Sequence, residues 1–376
     1  MTRILHFSDT HLGYQAFDKV TPSGVNAREQ DVYDAFERVV ERILDLRPQV
    51  VVHSGDFFHR PSPSNRALTF GLEQLRRIAQ AGIPTVIIAG NHETPKTVYN
   101  SPILRALRSI DGIYPFFGEQ WEYVEIGEVA IHGVPHINDS RLLQAELARM
   151  EALAGKFNIL LLHTSLGKRY LMEEYGEQIF PQAFEGKLGQ FQYVALGHWH
   201  DSQRVGLHPC AWYSGSTERF SDTEIGAEKG FLVLELDEAL RAQVRFEAIA
   251  TRPWLRWERA ECHTLSVDDL VAELAAFAER QDTRGAILSV HFYDIRPEQT
   301  LEISNLRLRQ IFPDAFQVLP KRRTHLERSF VRDVEVSQFD SLDQIFADYV
   351  RSKYAAEQPA LAERLVERAK HYFELE

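Results

Sequence analysis

Val50-Val51-Val52-His53-Ser54-Gly55-Asp56-Phe57-Phe58-His59 reads as a short apolar run that stops at a glycine and then presents a carboxylate and an imidazole. The run is β-branched and uninterrupted, as expected of a strand buried on both faces. Gly55 permits a tight turn where the strand ends. Asp56 then falls at the carboxyl end of a buried strand, where open α/β sheets gather their ligands. A carboxylate has two oxygens and can hold two cations at once. Asp56 is therefore read as the bridge of a two-metal site.

Four other runs end the same way. Ile4-Leu5-His6-Phe7 leads into Ser8-Asp9-Thr10-His11-Leu12-Gly13, and Thr85-Val86-Ile87-Ile88-Ala89 into Gly90-Asn91-His92-Glu93. Ile159-Leu160-Leu161-Leu162 ends at His163-Thr164, and Tyr193-Val194-Ala195-Leu196 at Gly197-His198-Trp199-His200. One such coincidence is cheap; five in order, all at the same end of the run, are hard to produce by chance. Helical patterns lie between them. Residues 28–46 place Val32, Phe36, Val39, Val40, Ile43 and Leu44 on one face, and residues 65–81 do the same with Leu68, Leu72, Leu75 and Ile78. Strand alternating with helix predicts a largely parallel sheet with helices outside. A further helix is expected over 140–153, and two antiparallel strands near 231–236 and 244–249 close this first domain, residues 1–250.

Composition shifts at Thr251-Arg252-Pro253, beyond which the donor-bearing motifs stop. A helix over 267–278, a strand over 287–293, a helix over 304–311 and a strand over 316–319 make a small α+β domain, residues 251–330. Lys321-Arg322-Arg323 is expected to follow its last strand, as a solvated turn or a phosphate contact. The segment 331–376 carries two amphipathic stripes, one from Leu342 to Val350 and one from Leu361 to Phe373, suited to packing on the body or to docking on a coiled coil.

The chain has 376 residues, 44% hydrophobic and 26% charged, and a net charge of −12. That balance argues against a protein coated in basic surface, while leaving room for a local basic groove. Two distant cysteines, Cys210 and Cys262, match no metal spacing and suggest a reducing compartment. With no signal-peptide pattern and no membrane-length apolar run, a cytoplasmic location is expected.

Two divalent ions roughly 3.5–4 Å apart can clamp a phosphoryl group and activate a water. Asp9, His11, Asp56 and His200 could serve one ion, and Asp56, Asn91, His163 and His198 the other. The mixture of carboxylate, carboxamide and imidazole suits manganese, iron or zinc, where an all-oxygen set would suit magnesium or calcium. His92 and His59 are left over, and an imidazole beside two cations is placed to protonate a leaving oxygen. His6 and His53 inside strands, and His132 and His136 in an expected loop, are read as ordinary histidines satisfied by nearby carbonyls.

Together, Asp9-Thr10-His11, Gly55-Asp56, Gly90-Asn91-His92-Glu93, His163 and Gly197-His198-Trp199-His200 resemble the five motifs of the calcineurin-like metallophosphoesterases. Asp9 to Gly13 and Gly55 to His59 resemble the SbcD-type DNA-repair nucleases among them. The resemblance implies an α/β fold, a β-sandwich flanked by helices, with a small α+β capping domain and C-terminal helices. It implies two Mn2+ (Fe2+ or Zn2+ as substitutes) on Asp9, His11, Asp56, Asn91, His163, His198 and His200. His92 would protonate the leaving 3′ oxygen and His59 would position the phosphate or strand. The implied activity is 3′–5′ double-strand exonuclease and single-strand or hairpin endonuclease action on DNA. The implied partner is an SbcC-like ABC-type ATPase with a coiled coil, on a nucleoid-associated complex. A homodimer would form through 65–81 and 102–110. One departure is Glu93, where this nuclease branch usually carries aspartate and the phosphatase branch commonly carries glutamate; if the acid orients His92 from behind, one extra methylene is absorbed. Two rival readings stand beside this one: a metallophosphatase or small-molecule phosphodiesterase on the same fold, and a DNA-end-binding adaptor with little catalysis.

Overall fold

A computed structural model describes residues 2–97, 101–167, 179–206, 208, 210–237 and 241–324, with 346–347, 350–351, 359 and 363–367 of the tail. Strands β1 (Thr2–Phe7), β2 (Val50–His53), β3 (Thr85–Ile88) and β4 (Ile113–Phe116) alternate with helices α1 (Ala27–Leu46) and α2 (Asn65–Gln80). Next come β5 (Glu122–Ile126), β6 (Val129–Val134), α3 (Ser140–Arg149), β7 (Phe157–His163), β8 (Tyr193–Gly197), β9 (Gln203–Arg204) and β10 (Ala211–Tyr213). The antiparallel pair β11 (Gly230–Leu236) and β12 (Ala242–Ala248) then returns to the first sheet beside β1.

Two six-stranded sheets result, in the orders β12-β11-β1-β2-β3-β4 and β5-β6-β7-β8-β10-β9. Strand β2 shows why they stack. Val50 and Val52 face Val129, Ile131, Ile159 and Leu161 of the other sheet, while Val51 faces the helices with Val32, Phe36 and Ile78. Both faces are apolar, so both must be covered. On the far side, α3 covers Leu160, Leu162, Val194 and Leu196 through Leu143 and Leu147. The result is the helix-flanked β-sandwich that the resemblance implies, in which the strands fall into two sheets and not the one that strand–helix alternation alone suggests.

Phe36 of α1 is fully buried, with Phe7 and Phe57 ring centroids at 6.0 and 5.4 Å. Phe36→Ala is expected to lower unfolding free energy by about 3–5 kcal/mol, read from a chemical denaturation curve. A change under about 1 kcal/mol would show that helix and sheet re-close around the void.

A third, three-stranded sheet has the order β13-β14-β15, from β13 (Trp254–Arg259), β14 (Ile287–Ile295) and β15 (Gln317–Thr324). It packs on α4 (Val267–Arg280) and α6 (Asn305–Ile311) through Leu270, Leu274 and Leu308, with α5 (Pro297–Glu302) between. Three expected bounds shift. The 140–153 helix ends at Arg149, and His132 lies inside β6 rather than in a loop. The last strand runs to Thr324, so Lys321-Arg322-Arg323 lies within it and not in a turn after it.

In the tail, Phe346, Ala347, Val350 and Val366 pack together, and Arg351 donates to Glu363. Among the described residues of the second helical segment, Val366 is buried, whereas Leu365 of the expected stripe is exposed. The rest of the expected docking segment lies outside the described residues. Among the described residues no helix is long and apolar enough to cross a membrane.

Candidate metal centre

The loops after β1 and β2 run on side by side. The Asp9 N–H donates to the Gly55 carbonyl at 3.0 Å, and the His11 N–H to the Asp56 carbonyl at 2.9 Å. The His59 N–H then donates to Leu12 at 3.0 Å. This zipper brings Asp9, His11, Asp56 and His59 to one end of the first sheet. The second sheet supplies His163 and His198 from the ends of β7 and β8, across the sandwich.

Three donors converge on one side. His163 Nε2 lies 3.0 Å from Asn91 Oδ1 and 3.2 Å from Asp56 Oδ2. Its other nitrogen, Nδ1, donates to the Ser54 carbonyl at 2.9 Å, which aims Nε2 into the site. On the other side His11 Nε2 and His200 Nε2 are 3.3 Å apart, with Asp9 Oδ1 4.0 Å from His200. His200 Nδ1 must donate to Glu224 Oε1 at 3.1 Å, because a carboxylate only accepts. Asp56 stands between the two groups. The His92 N–H holds its Oδ1 at 2.9 Å, and Oδ2 faces His163 at 3.2 Å and His11 at 3.8 Å.

Asp9, His11 and His200 offer atoms within 4.8 Å of one another, and so do Asp9, Asp56 and His163. His198 enters differently. Its N–H donates to both Asp9 oxygens at 3.1 Å, and its ring lies edge-on to His163 with centroids 5.4 Å apart. His92 and His59 stack, centroids 5.0 Å apart, beside His11. His92 Nδ1 donates to the His59 carbonyl at 3.0 Å, leaving Nε2 free of that bond and 4.0 Å from Asp56 Oδ2.

Charge explains why such a cluster wants cations. Burial raises the Asp9 pKa, and Asp56 adds to it. Burial opposes a charged His163, yet Asp56 and Asp9 outweigh it and raise its pKa to about 10. Burial lowers His11 well below its usual value and takes His198 down to about 3, so their lone pairs stay available. The backbone is strained for the same purpose. Among the described residues, four of the nine non-glycine residues with positive φ are Asp9, His11, Asp56 and His198. Glycine is required where backbones crowd: a Cβ at Gly90 would sit 2.5 Å from the Asp56 nitrogen and nearer still to Oδ1. Gly90→Ala is expected to cost about 1–3 kcal/mol in urea denaturation and to weaken divalent-metal binding, since Asp56 must move. Unchanged metal titration would mean that Asp56 is not held by this contact.

Other expectations shift. Among the described hydrogen bonds none joins Glu93 to His92. Glu93 is buried and accepts from the Phe57 N–H at 3.1 Å, bracing the loop beyond Asp56. His92 is oriented instead by the His59 carbonyl. His6 is satisfied by Tyr193 Oη at 2.9 Å and Ser54 Oγ at 2.8 Å, and His53 by Thr10 Oγ1 at 3.0 Å and the Gly55 N–H at 3.3 Å: hydroxyls and an amide, not carbonyls. His132 pairs with Asn158 Oδ1 at 2.9 Å. Lys321 donates to Asp222 at 2.6 Å and Arg322 to the Ile303 carbonyl at 2.9 Å, while Arg323 is exposed beside Tyr293. Glu224 and Lys229 went unremarked in the sequence. The Ser221–Glu224 spacing of a capping box was the one local signal.

Carboxylate, carboxamide and imidazole donors at the strand ends of a two-sheet α/β sandwich define a phosphoester hydrolase of the two-metal kind. The chain belongs to the calcineurin-like phosphoesterase family, whose model matches residues 2–202. It is 34% identical over 208 residues to the DNA double-strand break repair protein Mre11 of Sulfurisphaera tokodaii, covering 53% of this chain and 49% of that protein. With the protein of that name from Methanococcus maripaludis it shares 28% over 235 residues, 59% of each. With that of Sulfolobus acidocaldarius it shares 22% over 370 residues, 93% of this chain and 90% of that one. The matched segment thus spans about half of the first relative. A dimetal phosphatase from Danio rerio matches 65% of this chain and 98% of its own at 13% identity, with a TM-score of 0.40.

Proposed function

We propose that the protein is the nuclease subunit of an SbcC–SbcD-like complex, hydrolysing DNA phosphodiester bonds with two Mn2+. The observation that carries this is the placement of Asp56 Oδ2 between the Asn91–His163 group and the His11–His200 group, with His92 beside both. Relatives named for double-strand break repair support a DNA substrate. Asp9, His11, Asp56 and His200 would hold one ion, and Asp56, Asn91, His163 and His198 the other. When bound, the ions supply charge for the phosphate oxygens and acidify the attacking water.

The chain's own residues do the rest. Ser54 and Glu224 fix the His163 and His200 rings through their Nδ1 atoms. His92, tied at Nδ1 and open at Nε2, hands a proton to the departing sugar oxygen. His59, stacked on it, orients the phosphate. Residues 251–330 act as a capping domain over DNA, with the Lys321-Arg322-Arg323 stretch on its edge. The resemblance of the motifs adds 3′–5′ exonuclease and hairpin endonuclease action, an ABC-type ATPase partner at 331–376, and dimerisation through α2 and residues 102–110.

A labelled blunt duplex, a hairpin and a simple phosphate monoester, each across a series of divalent metals, test the proposal. Manganese-dependent cleavage of both DNAs is expected. Turnover of the monoester with neither DNA cut would replace this reading with the phosphatase one.

A further inference from the structure

Two carboxylates of one short turn face opposite ways. Glu224 points inward, and its Oε1 accepts from His200 Nδ1 at 3.1 Å and from the Phe220 and Ser221 N–H groups at 3.2 Å. Its Oε2 takes the ammonium of Lys229, which also donates to the His200 carbonyl at 2.8 Å and Ser216 Oγ at 3.0 Å. The Lys229 side chain is 0% exposed. A buried ion pair is a costly device, and here it grips His200 both by ring and by backbone.

Asp222 points outward. Its Oδ2 accepts from Lys321 Nζ of β15 at 2.6 Å, and His291 Nε2 of β14 lies 3.2 Å from the same oxygen. The Asp222 carbonyl accepts from Arg256 of β13. All three strands of the third sheet therefore meet one residue. The capping box from Ser221 to Glu224 ties the turn into one unit, so displacement at Asp222 reaches Glu224.

We propose that Glu224 is a positioning residue for His200, and that the Ser221–Glu224 turn conveys the seating of the third sheet to that one ligand. The inference rests on His200 being a metal ligand, as read above. Unseating the third sheet then loosens the ion at Asp9, His11 and His200 and spares the one at Asn91 and His163. The pair of ions responds unequally to a contact made outside the centre.

The test is calorimetric titration of the metal-stripped full chain with Mn2+, with circular dichroism to confirm folding. Glu224→Gln is expected to weaken one of two binding events by about 10–100-fold, the scale of losing a ligand's outer partner. Asp222→Asn and Lys321→Met break the seam from opposite sides. Each is expected to weaken the same event by up to about fivefold, the scale of one partly exposed ion pair. In a His163→Ala background, which keeps only the affected ion, Asp222→Asn must weaken the remaining event. Both affinities unchanged in the two seam variants would overturn the coupling, and both unchanged in Glu224→Gln would overturn the positioning role. Equal weakening of both events overturns the selectivity. A wild-type chain that binds fewer than two Mn2+ instead overturns the metal-centre reading beneath it.

Discussion

Manganese added to an Asp56→Asn chain is expected to raise its melting temperature little or not at all, where the unaltered chain gains about 2.7 kcal/mol per ion at a hundredfold excess over Kd. The reason is the position of one oxygen. Asp56 Oδ2 lies 3.2 Å from His163 Nε2 and 3.8 Å from His11 Nε2, so it belongs to both donor groups. An amide in its place brings no charge, and one of its two heads is a donor that repels a cation. The metal-free chain suffers less. A stranded buried charge costs about 3–5 kcal/mol, but His163 is charged only because Asp56 and Asp9 overcome its burial. Without Asp56 the largest force holding that proton is gone, and burial favours the neutral ring. The loss therefore shows in the metal-bound state, and DNA cleavage falls with it. Scanning calorimetry with and without Mn2+ decides; an upshift equal to the unaltered chain's would remove Asp56 as the bridge.

His92→Ala should act on the proton and not on the metals. Its Nδ1–H is committed to the His59 carbonyl at 3.0 Å, so the proton handed to the leaving oxygen is the one that the imidazolium carries on Nε2. The side chain remains 38% exposed, so a leaving group can reach Nε2. Losing a positioned general acid costs about 10²–10⁴ in rate. A DNA sugar oxygen needs that proton, whereas nitrophenolate departs without one. DNA cleavage should therefore collapse while bis(p-nitrophenyl) phosphate turnover falls about tenfold or less, with the manganese upshift retained. Equal loss on both substrates would assign His92 to positioning instead of proton transfer.

Much of this was legible in the sequence because the relevant signals are local. The Val50–Asp56 stretch carries its strand, its turn and its carboxylate within a few residues, and the four other runs repeat the arrangement. Strand pairing is not local. Nothing near Glu122 or Val129 announces that β5 and β6 begin a second sheet, so the strand–helix alternation alone reads as one sheet, and the two-layer sandwich is legible only through the resemblance of the motifs. The end of β15 was misplaced because Lys321 and Arg322 look like a solvated turn. Their partners, Asp222 and the Ile303 carbonyl, lie far along the chain or on another element. Glu93 adjoins His92 in sequence, which leaves its partner open, and its carboxylate turns to Phe57. Glu224 was invisible for the same reason, since its role lies in reaching His200 across a fold.

The bonds that shape the centre span long separations: His163 to Ser54 over 109 residues, and His198 to Asp9 over 189. Each joins one sheet to the other. A nascent chain holding only β1 to β4 carries Asp9 and Asp56 and has nothing opposite them. Ions cannot nucleate such a fold, because loop closure must be complete before their binding energy is available. They act as a late lock, slowing the escape of the finished sandwich far more than hastening its assembly.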